Sequence, residues 1–113
     1  MIKRITLIKA KEGMSLSDFR AYYETHHAPL AKRLFPMVAD YRRSFITEVV
    51  RHPDGVPYPG FDVVTENWFA SEADLKAFTE KIKRPEVRAE LLADEAKFTQ
   101  VDKTWSFIVD EVK

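Results

Sequence analysis

The sequence predicts an α+β fold of the ferredoxin-like type, with the order βαββαβ and an antiparallel four-stranded sheet. Two helix starts carry this prediction. The segments Ser15-Leu16-Ser17-Asp18 and Ser71-Glu72-Ala73-Asp74 both fit the Ser-x-x-acid capping pattern, in which the serine accepts a hydrogen bond from a free backbone N–H. Each segment follows a strand-like run, and each helix precedes another run rich in β-branched and aromatic residues. A strand–helix–strand order that occurs twice is typical of the split βαβ fold.

The elements follow in this order along the chain. Strand-like runs lie at residues 2–9, 38–50, 61–70 and 104–112. The second helical region is interrupted, because Pro85 suits the first turn of a new helix. The connection at residues 51–60 holds three of the six prolines and two of the three glycines, which excludes a tight hairpin turn. It either covers a pocket or a partner, or is a stiff surface excursion.

The third strand carries large apolar side chains on both of its faces. Val64 and Trp68 lie on one face, and Val63 and Phe69 lie on the other. Two helices cover only one face of a four-stranded sheet, and an open apolar face on a monomer favours association. We therefore expect a homodimer in which the sheets of two copies pack against each other.

Length and charge exclude several kinds of partner. The 113 residues fit a single domain, 1–113, and contain 18 basic and 18 acidic side chains. A net charge of zero lacks the basic face that nucleic acids and membrane surfaces require. No run approaches the ~20 apolar residues of a membrane span, and the apolar run near the N-terminus is too short for a signal peptide. We expect a cytoplasmic protein with no nucleic acid and no membrane as partner.

The inventory of side chains also excludes several kinds of site. Without cysteine there is no disulfide, no thiolate nucleophile and no sulfur-ligated metal. The three histidines lack metal-binding spacing, and three glycines leave no dinucleotide or phosphate loop. We expect neither a metal nor a bound cofactor, and the groups left for catalysis are imidazole, phenol and carboxylate.

The first helix carries a histidine on its apolar face. A stripe at helical spacing consists of Leu16, Phe19, Tyr23, His27, Leu30 and Leu34. His27 lies in the middle of this stripe, whereas His26 lies about 100° around the helix. Pro29 leaves the carbonyl of Thr25 without its partner and predicts a kink or restart beside His27. A histidine in this place is either a hydrogen-bonded core residue or a general acid–base catalyst.

Three polar residues of the predicted strands have no evident structural duty. Glu66 lies mid-strand between apolar neighbours, and a carboxylate there must be paired, hydrogen-bonded or neutral. With Asp62 on the same face, it either shares acid–base work with a histidine or forms a structural ion pair at a subunit interface. Tyr41 opens the second strand, and its phenol either donates a hydrogen bond to a substrate oxygen or belongs to the core.

Four segments resemble the motifs of EthD-like proteins, and together they span nearly the whole chain. These segments are Phe19 with Tyr22-Tyr23 and His27-Ala28-Pro29-Leu30; Tyr41; Asp62-x-x-x-Glu66-x-Trp68-Phe69 with Ser71-Glu72; and Asp94-Glu95-x-x-Phe98. The chain departs from the family pattern at Tyr23, where tryptophan is common. The resemblance implies a dimeric α+β barrel, in agreement with the two apolar faces of the third strand.

The resemblance also implies a kind of activity. The family includes proteins associated with the degradation of ethers and other xenobiotics and with polyketide tailoring, and it is often catalogued as oxidoreductase. A related branch, the methylmuconolactone methylisomerases, shares the run at 68–72 and uses a helix-one histidine and a strand-two tyrosine without a cofactor. By similarity these positions are His27 and Tyr41, with His26 as the neighbouring alternative.

These observations favour a small, cofactor-independent oxidoreductase or isomerase/lyase acting on a small hydrophobic ring or carbonyl compound. In this interpretation His27 moves a proton, Tyr41 holds an oxygen, and Glu66 or Asp62 complements the base. The expected substrate-binding residues are Phe19, Tyr23, His26, Asp62 and Trp68. Two alternatives stay open: a non-enzymatic dimeric carrier, accessory or stress protein, and a cofactor-free or haem-linked oxygenase.

Overall fold

Four antiparallel strands form one sheet with the order β2-β3-β1-β4. The computed structural model describes all 113 residues. The strands are β1 (Ile2–Ile8), β2 (Asp40–Phe45), β3 (Val63–Phe69) and β4 (Trp105–Asp110). The two strands that precede helices, β1 and β3, are the central pair, and the strands that follow helices lie at the edges. This arrangement confirms the predicted ferredoxin-like fold.

Two of the four helices begin where the capping patterns predicted them. The helices are α1 (Leu16–Tyr22), α2 (Ala28–Leu34), α3 (Glu72–Ile82) and α4 (Pro85–Glu95), with a short 3-10 turn at Val101–Lys103. Ser15 Oγ accepts from the N–H of Asp18 at 3.0 Å, and Ser71 Oγ accepts from the N–H of Asp74 at 3.1 Å. Pro85 opens α4, as its missing N–H and fixed φ favour. None of the helices has the length and apolar character needed to cross a membrane.

The second strand is shorter than the sequence predicted. As an edge strand, β2 pairs only with β3, and this pairing ends at Phe45 opposite Val63. One further backbone bond joins Ile46 N–H to the carbonyl of Asp62 at 2.9 Å. Residues 47–50 have no neighbouring strand with which to pair, so they join the connection. The connection bends at Gly55, whose φ of +72° lies in the region that glycine adopts without strain.

The sheet has one face covered by helices, the helix face, and one left uncovered by this chain, the open face. Every second residue of β3 is buried against the helices, starting at Val63 and ending at Phe69. Two apolar clusters lie there. One surrounds the fully buried Phe98, and the other surrounds Phe78. Leu16, the first member of the predicted apolar stripe, lies outside both clusters and is 57 % exposed.

The open face carries both apolar and ionic groups. Trp105 and Phe107 of β4 are 59 % and 41 % exposed. Lys3 lies between two carboxylates, since its Nζ is 2.7 Å from Glu66 Oε2 and 2.9 Å from Glu111 Oε2. These hydrogen bonds hold the pKa of Lys3 above its usual value. Glu66 is therefore part of an ion pair on the sheet face that is away from the helices.

Candidate functional site

A π-helical turn, Tyr23–His27, joins α1 to α2. The N–H of Ala28 bonds to the carbonyl of Tyr23, five residues back rather than four. Pro29, which has no N–H, then lies in the first turn of α2, so the helix restarts where the sequence indicated. The turn directs Tyr23 and His27 towards the sheet, where both are buried. A single π turn inside an α-helix is frequent at functional sites.

The imidazole of His27 is held by a carboxylate on α4. Its Nδ1 lies 2.7 Å from Asp94 Oδ2, and the other oxygen of Asp94 accepts from the hydroxyl of Tyr22 at 2.7 Å. The Phe98 ring packs against the imidazole with a centroid distance of 5.1 Å. A carboxylate facing Nδ1 favours the tautomer with a proton on that nitrogen. Nε2, on the other side of the ring, then carries a lone pair and has no partner in the chain.

Burial and Asp94 act on the pKa of His27 in opposite directions. Burial disfavours the charged imidazolium, and Asp94 favours it. Burial is the larger effect, so the pKa of His27 lies below its usual value of 6.5. The imidazole is therefore neutral at pH 7, and Nε2 can accept a proton.

His27 lines a cavity of about 650 Å³ between the helix face of the sheet and the helices. This volume is within the range of small-molecule sites. About half of its lining residues are hydrophobic. The polar members that face it from the sheet are Arg4, Thr6, Tyr41, Thr65, Asn67 and Ser106.

Two tyrosines form a hydrogen-bonded chain on one wall of this cavity. The hydroxyl of Tyr41 donates to that of Tyr23 at 3.1 Å, which leaves the proton of Tyr23 for Thr65 Oγ1. Burial is the main cause that raises the pKa of both phenols, so they stay protonated at neutral pH. They act as hydrogen-bond donors and not as bases.

Comparison with known proteins gives the family. The sequence model of the EthD domain matches residues 11–102, which is most of the chain. This chain belongs to the EthD domain family. The resemblance drawn from the four motifs is thereby confirmed. No curated protein matches.

Solved structures give the fold of this EthD-family chain. An ethyl tert-butyl ether D (EthD) family protein from Bacillus halodurans is 25% identical, with a TM-score of 0.65 and 99% of each chain covered. A protein from Arabidopsis thaliana has a TM-score of 0.67 at 16% identity, covering 100% of this chain and 97% of its own. A dimeric ferredoxin-like protein from Thermobifida fusca has a TM-score of 0.55 at 15% identity, covering 97% and 90%.

The structure divides the residues singled out from the sequence into two groups. His27, Tyr41 and Tyr23 line the cavity together. Five others do not line it: Phe19, His26, Asp62, Glu66 and Trp68. Of these five, Phe19 is a core residue 1 % exposed, and His26 is an exposed side chain stacked on Tyr22 with a centroid distance of 4.7 Å.

The expectation that Glu66 or Asp62 complements His27 does not hold. Residues alternate between the two faces of a strand, and the even-numbered residues of β3 point to the open face. Glu66 and Trp68 are thus separated from His27 by the sheet itself. Asp62, just before β3, accepts from the N–H of Ala10 at 2.7 Å and has a structural contact instead. The carboxylate that contacts the histidine is Asp94.

Sequence reasoning missed several residues of the cavity lining and the carboxylate that contacts His27. Asp94 was visible only as part of the Asp-Glu-x-x-Phe element, and nothing in its spacing pairs it with a histidine 67 residues away. Arg4 and Asn67 did not stand out either, because each has a charged neighbour in the sequence, Lys3 and Glu66 respectively. The connection between β2 and β3 contributes no residue to the cavity lining.

Proposed function

We propose that this EthD-family chain is a cofactor-independent enzyme that transfers a proton within a small ring or carbonyl compound bound in the cavity. One observation carries the proposal: His27 lines the cavity, its Nδ1 contacts a carboxylate, and its Nε2 has no partner in the chain. A neutral imidazole with this orientation is a general base near pH 7. The partly apolar lining supports binding of a ring, and the polar residues from the sheet supply hydrogen bonds.

The proposed step is removal of a proton from a carbon next to a carbonyl group. Nε2 of His27 takes the proton, and the electron pair of the C–H bond moves to the carbonyl oxygen to give an enolate. The hydroxyl of Tyr41 turns from Tyr23 to donate its one hydrogen bond to that oxygen. Asp94 stabilises the imidazolium that forms. Return of the proton to another carbon gives an isomer, and exchange with solvent gives a labelled substrate.

Exchange of carbon-bound protons in heavy water tests this proposal without a known substrate. β-Tetralone and its carboxylate-bearing analogues are enolisable ring ketones of a size that the cavity holds. We expect the protein to accelerate deuterium incorporation above the rate in buffer, followed by proton NMR. Binding of these ketones with no acceleration would contradict the proposal and favour the non-enzymatic carrier.

The decrease of the exchange rate at low pH, the acid limb of its pH profile, reports the pKa of His27. Because burial lowers that pKa, the base form persists as the pH falls below 6.5. We expect kcat/KM for exchange to stay constant through pH 6.5 and to fall only at lower pH. A limb centred at or above pH 6.5 would contradict this assignment. Glu95 also lines the cavity and has a raised pKa caused by burial, so Glu95→Gln is the control that removes its titration.

We also propose that the enzyme is a homodimer joined through the open faces of its sheets. The exposed Trp105 and Phe107 support this arrangement, as does the dimeric state of the ferredoxin-like protein from Thermobifida fusca. The Lys3–Glu66 pair would then lie inside the interface, where an ion pair is hydrogen-bonded and shielded from water.

Charge introduced on the open face should separate the subunits. We expect Trp105→Glu combined with Phe107→Glu to give a monomer in sedimentation velocity at micromolar concentration, because each new carboxylate would be buried unpaired. Val50→Glu is the matched control, since Val50 is 85 % exposed and lies in the connection after β2. A monomeric wild-type chain, or a dimer that survives the double substitution, would contradict the proposed assembly.

A further inference from the structure

The charges that line the cavity are strongly unequal, although the chain as a whole is neutral. Four cationic side chains contribute to the lining, and Glu95 is the one carboxylate among the lining residues. The four cations are Arg4, Lys32, Lys83 and Arg88. None of them has an acidic side chain within ion-pair distance, whereas the exposed Arg33 is paired with Glu90. The cavity is therefore suited to a negatively charged ligand.

Arg4 lies on the floor of the cavity and is held in one orientation. Its Nη1 donates to Thr6 Oγ1 at 3.1 Å, and its Nη2 donates to Ser106 Oγ at 3.2 Å. Its guanidinium group also lies over the Phe78 ring at 5.3 Å from the centroid. Both hydrogen-bond partners are neutral hydroxyls, so they orient the guanidinium group without neutralising its positive charge. Its remaining N–H groups are free to donate to a ligand.

The other three cations of the lining come from the helical side of the cavity. Lys32 is on α2, Lys83 follows α3, and Arg88 is on α4, and all three side chains are exposed. Exposed charges add little to the energy of a bound complex but raise the rate at which an ion of opposite charge arrives. The arrangement thus has one half-buried cation on the sheet and three exposed cations from the helical side.

We propose that the substrate of this site is an organic anion, a small ring compound whose carboxylate binds to Arg4. This inference rests on the proposed function and names the substrate class for the same cavity. A planar guanidinium matches a carboxylate in two parallel N–H···O bonds. The ring of the ligand contacts the apolar part of the lining, which includes Phe35, Leu91 and Phe98. The carboxylate at Arg4 then fixes the position of the ring relative to His27.

A pair of probes with the same shape and different charge tests the inference. β-Naphthoate and β-naphthamide are compared by calorimetry at constant ionic strength. We expect the wild-type protein to bind the acid at least about 10-fold more tightly than the amide, which corresponds to about 1.4 kcal/mol. Equal affinities, or no binding of β-naphthoate at millimolar concentration, would overturn the inference. Tighter binding of β-naphthyl phosphate than of β-naphthoate would overturn the assignment to a carboxylate.

Substitutions locate the preference at Arg4. We expect Arg4→Met, which keeps the aliphatic stem, to bring the ratio of the two affinities to within about 2-fold while the amide still binds. Arg4→Lys keeps the positive charge but lacks the paired N–H groups of the guanidinium. We expect it to give a ratio of acid to amide affinity between those of wild type and Arg4→Met. Arg33→Gln is the control, because Arg33 lies outside the cavity lining, and its ratio should equal that of wild type. A wild-type ratio in both Arg4 variants would overturn the inference.

This measurement is independent of proton transfer. We expect His27→Gln to retain the preference for the acid, since the imidazole is neutral and is not the anion-binding group. If the wild-type protein bound acid and amide equally but still accelerated proton exchange in a ketone, the inference of an anionic substrate would be contradicted. The proposed function would then still stand. The opposite result, a strong preference for the acid with no exchange on any ketone, would remove the proposed function.

Discussion

Replacing His27 by Gln should lower the rate of proton exchange by about 100- to 10,000-fold, the usual contribution of a positioned general base. An amide nitrogen or oxygen at this position fills part of the space of the imidazole but cannot accept a proton near pH 7. The binding of β-naphthoate should change little, because Arg4 and the apolar walls stay in place. Deuterium incorporation into β-tetralone measures the first quantity, and calorimetry measures the second.

The neighbouring histidine provides a matched control for this experiment. His26 has the same chemistry and is one residue away, but its ring lies outside the cavity on Tyr22. We expect His26→Gln to exchange protons within about 2-fold of the wild-type rate, as is usual for a substitution at an exposed site. Equal losses in the two variants would show that the effect is not specific to the cavity histidine, and a wild-type rate in His27→Gln would end the assignment.

Replacing Asp94 by Asn should lower the exchange rate through the tautomer of His27, by as much as about 10,000-fold. The amide can keep its oxygen on Tyr22 and turn its nitrogen towards Nδ1, where it must donate. Nδ1 then accepts, the ring proton moves to Nε2, and Nε2 no longer has a lone pair that can take a proton. The pKa of His27 should also fall, because Asp94 is the group that raises it against the effect of burial.

Tyr22→Phe separates the role of Asp94 from that of its second hydrogen bond. Burial and Asp94 raise the pKa of Tyr22 to about 12, so Tyr22 stays a donor to Asp94 at all pH values near neutrality. Without this hydroxyl, Asp94 keeps its contact with His27. We expect less than about 5-fold loss of exchange in Tyr22→Phe. If this variant lost as much as Asp94→Asn, the Asp94–His27 bond would not be the decisive contact.

The fold could be predicted from local signals, because each of its elements has a start or a stop in the sequence. The capping serines mark α1 and α3, Pro85 marks α4, and Pro29 marks the restart beside His27. Alternation in β3 also assigned its residues to two faces correctly. Alternation does not say which of two faces the helices cover when both carry large apolar groups. For that reason Glu66 was grouped with a histidine that lies on the other side of the sheet.

The candidate site was less predictable because its contacts join distant parts of the chain. His27 and Asp94 are 67 residues apart, and the hydrogen bond between them depends on how α4 packs beside the π-helical turn. No periodicity encodes that distance. The same holds for Arg4, whose importance becomes visible only when Thr6 and Ser106 are seen to hold it on the cavity floor.

The protonation state of His27 tests the central claim most directly, and nitrogen-15 NMR of the labelled wild-type protein measures it without a substrate. Long-range couplings between ring protons and ring nitrogens distinguish the two neutral tautomers from the imidazolium. At pH 7 we expect a neutral ring with its proton on Nδ1 and an unprotonated Nε2. A ring protonated on Nε2, or on both nitrogens, at that pH would contradict the assignment of His27 as the base.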